Sequence, residues 1–221
     1  TAAIRNAPNG EEFTRRIKKQ IGFSFQILSG QKEAYYGYLG IINTLAETDY
    51  LQFDLGGGSI ELVWVKDRKI KKSISLPFGA VTLTEKFASQ DRISSDGREE
   101  MLDWLEKQWK DLEWLKEAKG LPVIGTGGTA RNIAKMDQKR KKYPFYKIHN
   151  YPVDDSSIFG IWDDLSKTDL DERKKWPGLS EGRLDLILAG AGIVYSLLDY
   201  LHSPCLIASG SGIREGLFFE Y

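Results

Sequence analysis

The run Tyr50-Leu51-Gln52-Phe53-Asp54-Leu55-Gly56-Gly57-Gly58-Ser59-Ile60-Glu61-Leu62-Val63-Trp64-Val65 constrains the fold more than any other part of the chain. Two stretches rich in apolar, aromatic and β-branched residues flank a glycine-rich connection, the pattern of an antiparallel hairpin. Side chains alternate along a strand, so folding about the four-residue loop Gly56, Gly57, Gly58 and Ser59 pairs Leu55 with Ile60, Phe53 with Leu62 and Leu51 with Trp64. That face is wholly apolar and must be buried. The same register sets Asp54 opposite Glu61 on the other face, with Cβ atoms roughly 5 Å apart. Like charges across a ladder are destabilising, so the pair calls for a shared cation or a shared proton. Carboxylate oxygens suit Mg²⁺ or Mn²⁺, which take one or two carboxylates and keep positions for water and phosphate. Glycines carry no Cβ, so consecutive N–H groups can converge on an anion that approaches the backbone. A metal-bridged phosphate accounts for both halves of the segment; the plainer alternative is a flexible turn with two acids pointing apart into solvent.

The rest of the chain alternates in the same way. β-like runs at 25–28, 50–55, 121–125 and 206–208 are separated by helical apolar spacing at 33–45, 95–119, 129–141, 154–165 and 182–201, which predicts an α/β architecture. Glycine-rich junctions fall at Ser29-Gly30, Gly56-Gly57-Gly58, Gly125-Thr126-Gly127-Gly128 and Gly210-Ser211-Gly212. The third runs from a strand into a helix, where N–H groups and the helix dipole favour an anion. It also fits the dinucleotide pattern G-x-G-x-x-A through Gly125, Gly127 and Ala130, which raises an NADP-binding oxidoreductase as a further reading. The acid expected about 20 residues on is missing, since 142–149 holds no Asp or Glu. Neither loop is a Walker A, because no Gly-Lys-Ser or Gly-Lys-Thr follows. Two separate anion loops predict a ligand held between two structural halves.

The chain has 221 residues with 31 basic and 31 acidic side chains, so no global field draws it to DNA or to an anionic membrane. Charge is local. Arg131, Lys135, Lys139, Arg140, Lys141, Lys142 and Lys147 stand against Asp137 alone in 131–149, beside Tyr143, Phe145 and Tyr146. This is a candidate anion-binding strip, weighed against a solvated helix end and loop. The lone cysteine, Cys205, cannot form an internal disulfide, so a reducing, cytoplasmic location is expected. Cys205, His149 and His202 lack zinc-ligand spacing. The longest apolar stretch, 186–198, is short of the ~20 residues a membrane span needs. Trp104, Trp109 and Trp114 recur every fifth residue, which does not keep one helix face, so they read as packing. The chain opens on Thr1 without a basic-then-apolar leader and reads as a piece of a longer protein.

Several motifs then line up. Thr1-Ala2-Ala3-Ile4-Arg5-Asn6-Ala7-Pro8-Asn9 fits T-x-A-x-R-x-A-x-N. Ser29-Gly30-Gln31-Lys32-Glu33-Ala34 is similar to S-G-x-E-E-A. Asp54 to Glu61 fits D-x-G-G-G-S-x-E, Gly125 to Thr129 fits G-x-G-G-T, and Arg183-Leu184-Asp185 and Gly212-Ile213-Arg214-Glu215-Gly216 match closing elements. In this order they resemble the exopolyphosphatase and guanosine pentaphosphate phosphohydrolase (Ppx/GppA) family of the actin-like ATPase superfold.

The resemblance implies a ribonuclease H-like domain, a mixed sheet flanked by helices, at 46–221, with 1–45 as the end of a similar preceding domain. It implies Mg²⁺-dependent release of terminal phosphate from inorganic polyphosphate or guanosine pentaphosphate. Glu33 would orient or deprotonate the attacking water, and Asp54 and Glu61 would hold the cation. Gly56, Gly57, Gly58 and Ser59, with Gly127, Gly128 and Thr129, would cradle phosphates, and Arg5 would neutralise a phosphate oxygen. A homodimer is expected by analogy only. Two features depart from the pattern: Lys32 stands where the family has Glu, and the D-x-G-S-N-type loop that precedes T-x-A-x-R is absent. The rival reading is a non-catalytic sensor of polyphosphate or an alarmone. Retention of Glu33, Asp54 and Glu61 favours catalysis, because a pure binder gains nothing from acids facing an anion.

Overall fold

In the computed structural model, which describes residues 2–88 and 92–220, the hairpin forms in the expected register. β1 (Tyr50–Leu55) and β2 (Ile60–Lys66) pair Leu55 with Ile60, Phe53 with Leu62 and Leu51 with Trp64. A third antiparallel strand, β3 (Lys69–Leu76), follows a tight turn at Asp67 and Arg68, both at positive φ. The Arg68 guanidinium reaches the carbonyls of Ile42, Leu45, Ala46 and Glu47, where helix α3 (Gly30–Ile42; α1 and α2 precede it) ends. A cation there satisfies carbonyls that lack intrahelical partners. Arg68→Ala is expected to cost about 1 kcal/mol in urea unfolding, and Arg68→Lys should recover part of it.

Parallel pairing extends the sheet from β1 to β4 (Val123–Thr126) and on to β6 (Cys205–Ala208), and β5 (Tyr151–Asp154) closes it antiparallel to β6. The six-stranded order is β3-β2-β1-β4-β6-β5, a mixed sheet. Ten α-helices accompany it in the described residues: α1 (Ala2–Asn6), α2 (Gly10–Ile21), α3, α4 (Ala80–Phe87), α5 (Ser95–Lys110), α6 (Gly127–Arg140), α7 (Asp155–Ser166), α8 (Leu170–Arg173), α9 (Ile187–Leu201) and α10 (Ile213–Glu220).

The two sheet faces bury different layers. Leu51, Phe53, Leu55, Ile60 and Leu62 face the main core with Leu105, Trp109, Ile133, Trp162 and the apolar α9. Trp109 is fully buried and its indole N–H donates to Ser196 Oγ at 3.0 Å, while Trp104 and Trp114 are partly buried at the edge, as expected of packing residues. The opposite face carries Tyr50, Val63, Val65, Ile124 and Ile207 under Ala34, Ile41 and Leu45, so α3 and its C-terminal loop share a core with the sheet. α10 lies on α3 with backbone against backbone: a Cβ on Gly216 would come within 1.7 Å of Tyr36 O. Among the described residues no helix is long and apolar enough to cross a membrane.

Two expectations about elements are corrected. The run at 25–28 is not a strand; Phe23 and Phe25 are exposed, and the segment pairs with neither edge of the sheet, β3 or β5. β propensity without a partner edge does not make a strand. The helix expected over 95–119 stops at Lys110, and Glu113–Ala118 forms a 3-10 turn. Thr1 of the first motif lies outside the described residues.

Candidate active site

Strand alternation places Asp54 and Glu61 directly opposite each other on the α3 face, beyond the end of its apolar layer. Asp54 is partly buried and Glu61 is 3% exposed. Ser75 on β3 donates its hydroxyl to Glu61 Oε1 at 2.7 Å. Helix α3 starts over this pair, capped by Ser29, whose Oγ accepts the Lys32 N–H at 3.2 Å. A Cβ on Gly30 would fall 2.4 Å from Ser75 Oγ, so a glycine is what lets the first turn of α3 come down beside Ser75 and Glu61. Glu33, one turn in, is buried, and Arg5 Nη1 donates to its Oε2 at 2.8 Å and to Leu28 O at 2.9 Å. The structure therefore places Arg5 on the expected catalytic carboxylate. Lys32 is exposed, so the departure from the family pattern lies on the outer side of α3.

The charges strain against one another. Burial pushes the Asp54 carboxyl above its usual range; the Thr126 hydroxyl pulls it back, the Glu33 charge raises it further and Arg131 opposes that rise. Burial also raises Glu61, against hydrogen bonds from Ser75 and Ser59, and Glu33 and Asp54 add to the rise. An acid with a raised folded-state pKa binds more protons native than unfolded, so stability falls as pH rises through that pKa. In the absence of divalent cation, lowering the pH from 8 toward the unfolded carboxylate values near 4 is expected to raise the contribution of this site to stability. Comparing the pH dependence of Tm for the parent and Asp54→Asn/Glu61→Gln isolates it: the double variant should lose the gain toward low pH.

Among the described residues no group of three or more His, Cys, Asp or Glu side chains is arranged to hold a metal ion. The donors on offer are the hard oxygens of Asp54 and Glu61, without nitrogen or sulfur. That set fits Mg²⁺, which characteristically takes one or two carboxylates and completes its shell with water and phosphate oxygens.

Both glycine loops stand beside this pair. In the hairpin loop Gly56 N–H donates to Ser59 O at 3.0 Å, while Gly56 O accepts from Ala80 N–H and Gly57 O from Val81 N–H, both at 2.9 Å. The carbonyls of Gly56 and Gly57 therefore cap the N-terminus of α4. In a trans peptide the N–H points opposite the preceding carbonyl, so the N–H groups of Gly57 and Gly58 point away from α4. Gly79 permits this contact, because its Cβ would lie 2.5 Å from Gly56 O. The sequence reading missed α4 as the support of this loop.

At the second loop Gly127 has φ 89°, and a Cβ there would meet Leu55 O at 2.9 Å and Asp54 Oδ1 at 3.1 Å. The Arg183 guanidinium lies over Gly128, its Nη2 2.4 Å from where a Cβ would be. The Thr129 side chain is 1% exposed and packs on Gly190 of α9, so what Thr129 offers a phosphate is its backbone N–H at the start of α6. Asp54, Thr126, Gly127 and Arg131 line one wall of an open cleft of about 240 Å³, and 209–215 line the other. That second wall was visible beforehand as a glycine junction and a closing motif, with no place in the cleft assigned to either. His149 steadies it: Nδ1 accepts the Gly210 N–H at 3.1 Å and Nε2 lies 3.2 Å from Thr44 O, the pattern of a neutral imidazole with its proton on Nε2.

The chain is 30% identical over 227 residues to a bifunctional 3-dehydroquinate synthase/phosphatase of Fusobacterium nucleatum, covering all of this chain and 34% of that protein. It is 26% identical to a guanosine-5'-triphosphate,3'-diphosphate pyrophosphatase of Pseudoalteromonas atlantica (99% of this chain, 42% of that one). It is 24% identical to exopolyphosphatase 1 of Mycobacterium leprae (100% and 66%). The chain thus spans about a third to two thirds of the length of these curated relatives. Among solved structures it is similar to the Aquifex aeolicus member of the Ppx/GppA family, with TM-score 0.83 and 32% identity over 99% of this chain and 71% of that one. The model of the Ppx/GppA phosphatase family matches residues 1–221 from end to end, and with the two glycine loops and the facing carboxylates in place, the chain belongs to that family.

Proposed function

We propose that this chain is the phosphohydrolase part of a protein that releases terminal phosphate from inorganic polyphosphate or guanosine pentaphosphate. The observation that carries the reading is the gathering of Glu33, Asp54 and Glu61 beside two glycine loops, one aiming N–H groups away from α4 and the other opening α6. Carboxylates crowded against an anion site are costly for a sensor and useful to a hydrolase, which favours catalysis over the binding-only alternative.

In this reading Asp54 and Glu61 hold Mg²⁺, which would neutralise charge on the phosphate oxygens when bound. Arg5 fixes the Glu33 carboxylate through Oε2, so that it can take the proton of a water attacking the terminal phosphorus. The water oxygen forms the new P–O bond as the bridging P–O bond breaks, and the shortened chain leaves with the bridging oxygen. The N–H groups of Gly57, Gly58, Gly127 and Gly128 orient phosphates, consistent with phosphoryl transfer depending on positioning and charge stabilisation. Of the expected 1–45 unit, Ala34, Ile41 and Leu45 share a core with the sheet, so it is the segment before α3 that would end a preceding actin-like domain whose loop faces this one. The exposed Phe13, Ile21, Phe23 and Phe25 are the apolar surface such a domain would cover.

Phosphate release by the full-length protein with Mg²⁺, measured on both substrates, tests the proposal. Release from at least one is expected, with dependence on added Mg²⁺; release from neither overturns it.

A further inference from the structure

On α6, Arg131, Lys135 and Lys139 recur every fourth residue, and all three are exposed. Residues four apart share a helix face, so the three form a row of about 12 Å at 1.5 Å per residue, and the exposed Lys142 follows just past the helix end. The head of the row is in the cleft, where Arg131 lines the wall with Asp54 and its Nε donates to Gly127 O at 3.1 Å.

Among the described residues no acid forms a salt bridge with this row, although the Lys139 ammonium lies 4.7 Å from the centroid of the Tyr146 ring. Asp137, the one acid in 131–149, is 1% exposed and takes the Tyr151 hydroxyl at 2.8 Å and Lys141 Nζ at 3.1 Å. Asp164 is engaged by Arg140 and Asp154 by Lys141. Among the described residues Arg131, Lys135, Lys139 and Lys142 make no ion pair with an acid. A helix C-terminus explains a lysine at 139, but not cations at the start. Arg183 lies over Gly128 in the first turn, where the helix end is itself positive and a cation is disfavoured without an anion.

We infer that the exposed face of α6 is a binding track for an extended polyanion: phosphates beyond the reacting one leave the cleft past Arg183 and Arg131 and lie along Lys135, Lys139 and Lys142. The inference rests on the phosphohydrolase reading of the cleft and selects, within it, a long linear polyphosphate. A guanosine polyphosphate offers only a short run of phosphates before its nucleoside and would not reach the far lysines.

The test uses the full-length protein and Lys135→Glu/Lys139→Glu, with Lys116→Glu/Lys119→Glu as a control of equal charge change at the opposite end of β4. Equilibrium binding of long-chain polyphosphate and of tripolyphosphate is measured across a salt series, alongside KM for each. The α6 variant should lose about tenfold or more in long-chain affinity and show a shallower salt dependence, while tripolyphosphate binding changes less than about twofold. The control should keep its long-chain affinity within about twofold. Equal long-chain affinity in the parent and the α6 variant, or an equal loss in both variants, overturns the track. Because binding is read without turnover, an absence of phosphate release refutes the hydrolase reading separately.

Discussion

Glu33→Gln in the full-length protein is expected to lower kcat for phosphate release by about 10² to 10⁴-fold, the usual contribution of a positioned general base. KM should move much less. The substitution is nearly isosteric, and the carbonyl oxygen of the new side-chain amide can still accept from Arg5 Nη1, which in the parent bonds Glu33 Oε2 at 2.8 Å. What disappears is an anionic oxygen able to take a proton from water. Initial rates with saturating Mg²⁺, together with an unchanged circular dichroism spectrum, make the measurement decisive. A variant as fast as the parent would show that Glu33 only pins Arg5 and the first turn of α3.

The largest structural effect is expected at Gly216. A methyl group there would sit 1.7 Å from Tyr36 O, 2.6 Å from Tyr36 C and 3.0 Å from Gly40 N, all backbone atoms that cannot rotate aside. Gly40 in turn has Gly212 O at 2.3 Å from its own Cβ position, so α3 and α10 touch along two successive glycine contacts. Gly216→Ala must push α10 off α3, at a cost of about 3 kcal/mol or more. It also moves the 209–212 wall away from the cleft. Urea unfolding should show the loss, whereas Gly182→Ala, with open space around its Cβ position, should change stability by less than about 0.5 kcal/mol. Equal effects of the two substitutions would mean that the helix pair repacks without strain.

Other parts of the structure were readable to different degrees, for physical reasons. A short loop sets hairpin register, so the pairing of Asp54 with Glu61 and the apolar face of Leu51, Phe53 and Leu55 follow from local alternation. β3 was not visible, because Lys69, Lys71, Lys72 and Ser73 give a solvated edge strand little apolar patterning. Its contribution to the site, the Ser75 hydroxyl on Glu61, went unseen with it. The run at 25–28 failed in the opposite direction: it has strand composition and pairs with neither edge of the sheet.

Thr129 fits the motif as well as Gly127 does, yet its side chain packs on Gly190 of α9, a residue 61 positions away, which motif spacing cannot express. The Arg5–Glu33 pair and the 209–215 wall likewise join segments far apart in sequence. Strand alternation, loop chemistry and helix periodicity act between near neighbours, so the chain alone determined that two carboxylates meet at a glycine bend and that a second glycine loop opens a helix. Which face α3 covers, where Arg5 and Arg183 rest, and that the lysines of α6 run out from the cleft depend on close approach between distant segments, and only the packed structure decided them.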